Sequence, residues 1–171
     1  MTAQITRPYA DFAQGFAMAY AEEISGETYF AALATSEKDR ARAGLWAKLA
    51  LVEQRTHQAL HPFVAALGLL PADPGALARA GQNEARDWQD LPWHDIMTLI
   101  QRDYPAYVQE FEAIRAMAPP HLAPATQLLI DHEWAIIRFA EAELAGAANP
   151  ADALDAYLAH LDQWHLAAGR V

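Results

Sequence analysis

The sequence predicts an all-α protein, a four-helix bundle with a long crossover between its second and third helices and an extra C-terminal helix. Segments rich in Ala and Leu dominate, runs of Val or Thr are few, and no stretch alternates apolar and polar residues as half-buried strands do. With 171 residues, 53% of them hydrophobic, the chain can bury one core. We expect a single domain over residues 1–171, with the bundle over about 9–146 and the last helix over about 150–168.

The first predicted helix runs from about Tyr9 to Thr35. Spacings of three and four residues place aromatic and acidic residues on one inner face. This row consists of Phe16, Tyr20, Glu23, Glu27, Phe30 and Ala34. Ser36, followed three residues later by Asp39, predicts the start of the next helix after a short connection. The first two helices should therefore be antiparallel neighbours.

The second predicted helix runs from about Glu37 to Leu67, and Gly68 followed by Pro71 ends it. Its inner face also mixes apolar and polar residues: Trp46, Ala50, Glu53, His57, Leu60, Val64 and Leu67. Because the chain reverses near residues 36–40, residues whose numbers add up to about 76 should lie at the same level. Three pairs follow: Glu23 opposite Glu53, Tyr20 near His57, and Glu27 opposite residues 49–50, about one turn away.

The segment from Leu69 to Pro92 contains several helix breakers and is about as long as a helix of the bundle. It predicts a crossover with a short helix over about Ala76–Asp87, so that the third helix begins at the same end as the second. The third predicted helix covers about 93–118, and Pro105 inside it requires a kink or a restart, since proline removes a helix hydrogen bond.

The fourth predicted helix covers about 122–145, after Pro119-Pro120 and before Gly146. Its inner row contains His132, with Glu133 at the edge, and the loop near residues 119–123 sets Glu110 of the third helix level with His132. Asn149-Pro150 predicts a last amphipathic helix, which either caps the bundle or contacts a second subunit.

Acids on two facing inner surfaces need compensation. Ionised Glu23 opposite ionised Glu53 would cost several kcal/mol in a core. A divalent metal, a shared proton, or rotation of one side chain to solvent would each relieve this cost. The acids and histidines of these helices are therefore the candidate functional residues.

Charge and composition narrow the partners. A net charge of −10 disfavours nucleic acids and anionic membranes, which attract clustered Lys and Arg. The absence of cysteine excludes thiolate metal sites and cysteine nucleophiles. No signal peptide and no run of about 20 apolar residues is recognisable, so we expect a cytoplasmic protein.

Three stretches of the sequence resemble the ferritin-like superfamily, in particular its rubrerythrin and ferritin branch. They are residues 22–32 with Glu22-Glu23-Ile24-Ser25-Gly26-Glu27, residues 49–67, and residues 131–141 with Asp131-His132-Glu133-Trp134. The likeness covers about residues 10–146, and the helix order with its long crossover matches that fold. The resemblance implies a bundle in which one Glu from each of two helices and a Glu-x-x-His pair from each of the other two hold two irons.

Carried over to this chain, the resemblance implies Glu23 or Glu22, Glu53, Glu110 and Glu133 as carboxylate ligands. The histidines depart from the pattern, since Thr56 and Ile136 stand three residues after Glu53 and Glu133. His57 and His132 are the remaining nitrogen donors, with Tyr20, Glu27 and Tyr107 expected behind the ligands. The resemblance thus implies an iron or manganese site for redox chemistry with an incomplete diiron ligand set.

Two alternatives stay open. One is a metal-free helical module that binds a small molecule in the bundle core or forms a homodimer. The other is an unrelated bundle, including the DinB-like metal proteins, for which His57 and His61 offer a pair one helical turn apart.

Overall fold

The structure is a computed structural model that describes residues 9–168, with side chains to residue 164. Residues 1–8 and 169–171 of the predicted domain lie outside this range. The described residues form helices and no strand, so the predicted all-α class is confirmed. The helices are α1 (Phe12–Ser36), α2 (Arg40–Ala66), α3 (Pro74–Glu84) with a 3-10 turn at Ala85–Asp87, α4 (Trp93–Asp103), α5 (Pro105–Met117), α6 (Ala123–Leu144) and α7 (Asp152–Ala168).

Aspartates cap the first three helices. The side chains of Asp11, Asp39 and Asp73 each accept a hydrogen bond from a backbone N–H in the first turn. The predicted helix start at Ser36 was wrong, because Ser36 is the last residue of α1 and its hydroxyl donates to the carbonyl of Leu33. Asp39 alone caps α2, which shortens that helix by three residues at its start.

Helices α1 and α2 are antiparallel, as predicted. Phe30 stacks on Trp46 with ring centroids 5.8 Å apart, and Glu23 lies against Glu53. Trp46 also meets Trp93 edge to face at 5.0 Å, which places the beginning of α4 beside the beginning of α2. The crossover therefore carries the chain back to the same end, as its length indicated.

Helix α3 lies very close to α1. A Cβ at Gly81 would come within 2.0 Å of the carbonyl oxygen of Ser25, so only glycine permits this approach. The hydroxyl of Thr28 donates to the carbonyls of both Ser25 and Ala78, at 3.0 and 2.9 Å. The crossover is thereby fixed against the middle of α1.

The third predicted helix is broken where Pro105 requires it. Tyr104 separates α4 from α5 and retains helical dihedral angles, so the interruption lasts one residue. The N–H of Tyr104 still bonds to Ile100, whereas Pro105 has no N–H to donate to Gln101. The break turns Tyr104 and Tyr107 toward the cavity described below.

Helix α7 packs on α2 and α6 of its own chain. Leu154, Tyr157 and Leu161 on its inner face are buried. The Tyr157 hydroxyl lies 2.7 Å from the hydroxyl of Thr56 and donates to the carbonyl of Leu128. The apolar face of this last helix therefore covers other helices of its own chain, which is the first of the two roles predicted for it. No described helix is both long and apolar enough to cross a membrane.

Candidate metal centre

Two acids and a histidine from three helices meet in the core. Glu23 of α1, Glu53 of α2 and His132 of α6 each offer a ligand atom, and these atoms all lie within 4.8 Å of one another. The three residues are only 2%, 6% and 1% exposed. Among the residues that the structure describes, they form the one such group of potential metal ligands.

His132 stands at the centre of three carboxylates. Its Nε2 atom lies 3.3 Å from Glu23 Oε1, 3.8 Å from Glu53 Oε2 and 3.6 Å from Glu133 Oε1. The imidazole ring packs near Phe111 and Tyr157, with ring centroids 6.0 and 6.4 Å away. Apolar packing thus holds the ring in place, while Nε2 faces the acids.

A glycine in the interior of α1 makes room for Glu53. A Cβ at Gly26 would lie 2.8 Å from Glu53 Oε2 and 2.9 Å from its Cδ. Glycine in a helix interior costs about 1 kcal/mol relative to alanine. The close approach of the carboxylate to the α1 backbone accounts for its presence.

Burial controls the protonation of the cluster. The pKa of Glu53 is raised to about 8, and those of Glu23 and Glu133 are raised well above their ordinary value. Loss of hydration is the main cause in all three, and repulsion by neighbouring carboxylates adds to it. Burial lowers the pKa of His132 to about 4, so its imidazole is neutral at pH 7.

Glu23 and Glu53 share a hydrogen bond. The two carboxyl groups are therefore close enough to share one proton. Oε2 of Glu23 and Oε2 of Glu133 are buried without a hydrogen-bond partner. A buried acceptor without a partner is costly, so each of these oxygens is available to a cation, a water molecule or another ligand.

A cavity of about 430 Å³ leads from the cluster toward the crossover. Its inner wall includes Glu23, Glu53, His132 and Glu133, and its outer rim includes the exposed residues Glu84 and Asp87. Apart from Glu22, the remaining lining residues are either aromatic or small: Ser25, Gly26, Tyr29, Phe30, Trp88, Tyr104, Tyr107 and Phe111. The buried acids therefore border a space that can hold a small ligand.

Glu110 is buried at 6% exposure, but it does not join the converging ligand atoms. It accepts a hydrogen bond from the hydroxyl of Tyr9, and its charge helps to raise the pKa of Glu133. The next residue along the chain, Phe111, is the one that packs against the His132 ring. Of the predicted acids, the structure thus brings together Glu23, Glu53 and Glu133.

His57 lies outside the cluster. Its Nε2 is 2.7 Å from Glu27 Oε2, and Gln54 donates to the other oxygen of Glu27 at 2.8 Å. The predicted position of Glu27 opposite residues 49–50 was therefore wrong, since its side chain extends along the helices to His57. Neither residue joins the converging ligand atoms, although the charge of Glu27 helps to raise the pKa of Glu53.

Tyr20 lies near His57, as predicted, with ring centroids 6.2 Å apart. Its hydroxyl is 2.9 Å from Nδ1 of His61 and not beside the buried acids, so its expected place behind the ligands was wrong. Tyr107 does line the cavity. Among the described residues, no third potential ligand lies close enough to His57 and His61 to complete a metal site with them.

Several cavity residues were not predicted from the sequence. Tyr29, Trp88 and Tyr104 line the wall, and both Glu22 and Glu23 face the site, Glu23 buried and Glu22 half-buried. Gly26, in the middle of a helix, was the available signal, because such a glycine marks a close approach. The aromatic residues carried no comparable signal, since their positions depend on the crossover and on the break at Tyr104.

The arrangement offers two carboxylates and one neutral imidazole whose ligand atoms converge at the inner end of the cavity, with Glu133 beside the imidazole. Such a donor set can hold one divalent cation, or it can share protons among the acids. A second metal would lack a histidine ligand, because His57 is engaged with Glu27. Comparisons with protein-family models, with curated proteins and with solved structures find no match to this chain.

Proposed function

We propose that this chain is a ferritin-like bundle that binds one iron or manganese ion through Glu23, Glu53 and His132, with Glu133 beside them. The observation that carries the proposal is the convergence of three carboxylates on Nε2 of His132, within 3.3–3.8 Å, in the core. The helix order and the long crossover, together with the buried acids, support the ferritin-like assignment.

A cation accounts for the charge in this core. Burial alone opposes ionisation of each acid, and the acids raise one another's pKa further. A divalent cation would reverse this balance, because the ionised carboxylates would then bind it directly. It would also satisfy the two oxygens, Glu23 Oε2 and Glu133 Oε2, that have no hydrogen-bond partner.

The donor set favours iron or manganese. Carboxylates suit hard cations such as Mn²⁺, and one imidazole brings Fe²⁺ within range, whereas zinc and copper sites use more nitrogen or sulfur ligands. Neutral His132 is ready to act as a ligand at pH 7, since its pKa is lowered to about 4. The single histidine supports one metal ion.

The proposed reaction class is redox chemistry on oxygen or peroxide, for which the bound metal would supply the electrons. The residues of the chain would hold the metal and border the cavity. Phe111 and Tyr157 pack near the imidazole and help to hold it in place. The cavity beside Glu133 would admit a small reactant to the cluster.

Elemental analysis of protein expressed with added iron or manganese tests the proposal. We expect close to one equivalent of bound metal in the wild type and less than a tenth of an equivalent in the double variant Glu23→Gln/Glu53→Gln. The variant Glu112→Gln, at an exposed position of α5, is the matched control and should bind as the wild type does. Wild-type protein with less than a tenth of an equivalent, and with a melting temperature that metal does not change, would contradict it.

The alternative function is a metal-free helical module. The hydrogen bond between Glu23 and Glu53 supports it, since two acids that share a proton need no metal. In that case the double variant would gain stability without losing any bound metal. The same experiment therefore separates the two functions.

A further inference from the structure

The walls of the cavity carry two aromatic pairs. Tyr29 meets Trp88 edge to face with ring centroids 5.5 Å apart, and Tyr104 meets Tyr107 in the same manner at 5.5 Å. All four rings line the one cavity. Aromatic side chains that surround a space of this size can bind substituted ammonium groups through cation–π interactions, as aromatic cages do.

The same cavity is strongly acidic. Its lining contains six carboxylic acids: Glu22, Glu23, Glu53, Glu84, Asp87 and Glu133. Neither lysine nor arginine occurs among the described residues that line it, and His132 is neutral at pH 7. Burial is the main reason why the pKa of Tyr29 is raised, and the negative charges of Glu84 and Asp87 raise it further. An anionic ligand would meet repulsion from the exposed carboxylates Glu84 and Asp87 at the rim of this space.

Polar groups without partners point to a ligand independently of the charge. Oε2 of Glu133 and Oε2 of Glu23 belong to side chains more than nine-tenths buried, both of which line the cavity, and neither atom has a hydrogen-bond partner. The volume of about 430 Å³ falls within the range of small-molecule sites. The space thus combines room, aromatic walls and unsatisfied acceptors.

We propose that this cavity binds a small organic cation, an amine or quaternary ammonium compound, with its charged group between the Tyr29–Trp88 and Tyr104–Tyr107 pairs. The rim acids Glu84 and Asp87 attract the cation from solvent. The buried oxygen of Glu133 is available to a hydrogen-bond donor at the inner end. A neutral ligand of the same shape would gain the contacts but not the charge interactions.

The cation and the metal do not exclude each other. If all six acids were ionised, one bound divalent ion would still leave a net charge of about −4 in the cavity. The role of the organic cation as a substrate rests on the proposed function, whereas its binding rests only on the walls of the cavity. Binding of the cation and binding of the metal can therefore be measured separately.

Calorimetric titration with choline and benzyltrimethylammonium tests the proposal, with 3,3-dimethylbutan-1-ol as the uncharged counterpart of choline. We expect at least one of the two cations to bind, at least tenfold more tightly than the alcohol, and to bind more weakly as salt rises. The same titrations on metal-loaded and chelator-treated protein, with metal content measured in parallel, keep the two proposals distinct. If the protein bound the organic cation but took up no metal under any condition, only the proposed metal site would be refuted.

Two sets of variants locate the site. Trp88→Leu should weaken cation binding about tenfold, whereas Trp134→Leu, at a half-exposed tryptophan outside the cavity, should not change it. Glu84→Gln/Asp87→Asn leaves the aromatic walls intact and should also weaken binding, against the exposed control pair Glu112→Gln/Glu141→Gln. The proposal is overturned if both cations fail to bind at 10 mM, if alcohol and cation bind equally, or if the cavity variants match their controls.

Discussion

Replacing Glu53 with glutamine tests the electrostatic account of the core most directly. Its pKa rises from 4.5 to about 8 on folding, chiefly through burial. Between these values the folded state retains a proton that the unfolded chain gives up, so the metal-free protein loses stability as pH rises from about 4.5 to about 8. At about 1.4 kcal/mol per pH unit the upper limit of this cost is about 5 kcal/mol.

Glutamine removes this cost and retains the shape of the side chain. Because relaxation and the hydrogen bond to Glu23 reduce the penalty, we expect Glu53→Gln to stabilise the metal-free protein by about 1–3 kcal/mol at pH 8 and by little at pH 5. Urea unfolding of chelator-treated protein at both pH values measures the difference, with Glu112→Gln as the exposed control. A gain of equal size at both values would refute the assignment of the cost to ionisation of Glu53.

Four further outcomes are expected. Manganese affinity should increase from pH 6 to pH 8, because the carboxylates must lose protons to bind, and calorimetry in buffers of different ionisation enthalpy would detect the released protons. Gly26→Ala should weaken manganese binding at least tenfold in an otherwise folded protein, since the new Cβ would lie 2.8 Å from Glu53 Oε2; unchanged affinity would contradict the assigned position of this carboxylate. Gly81→Ala should lower the free energy of unfolding by about 2–4 kcal/mol or prevent folding, because the new Cβ would lie 2.0 Å from the carbonyl oxygen of Ser25. A melting temperature equal to that of the wild type would contradict this close approach of α3 to α1. His57→Gln should leave the manganese dissociation constant within about twofold of the wild type, and a large loss would return this histidine to the ligand set.

The pairing of α1 with α2 was predictable because both helices are regular and their connection is short. Counting outward from that connection matched Glu23 with Glu53, and the same count matches Phe30 with Trp46. The count follows Cα positions and ignores the reach of side chains. It therefore misplaced Glu27, whose long side chain bonds to His57 farther along the helices.

The ligand set on α6 was harder to choose from the sequence. This helix is buried around most of its circumference, since α2, α4, α5 and α7 all contact it. Neighbouring residues of such a helix, here His132 and Glu133, can both face the core. An amphipathic pattern selects one face, so it identified His132 and left Glu133 at the edge. The cavity was not predictable, because it depends on how the crossover meets the break at Tyr104.

The docking of α7 sets an order of events for the chain during synthesis. This helix follows every helix that bears a ligand, and its Tyr157 covers one side of His132. Before α7 docks, that side of the imidazole is in contact with water, so part of the desolvation that perturbs the cluster has yet to occur. Docking of α7 therefore completes the burial of the imidazole, whereas the cavity still connects the acids with the exposed residues Glu84 and Asp87.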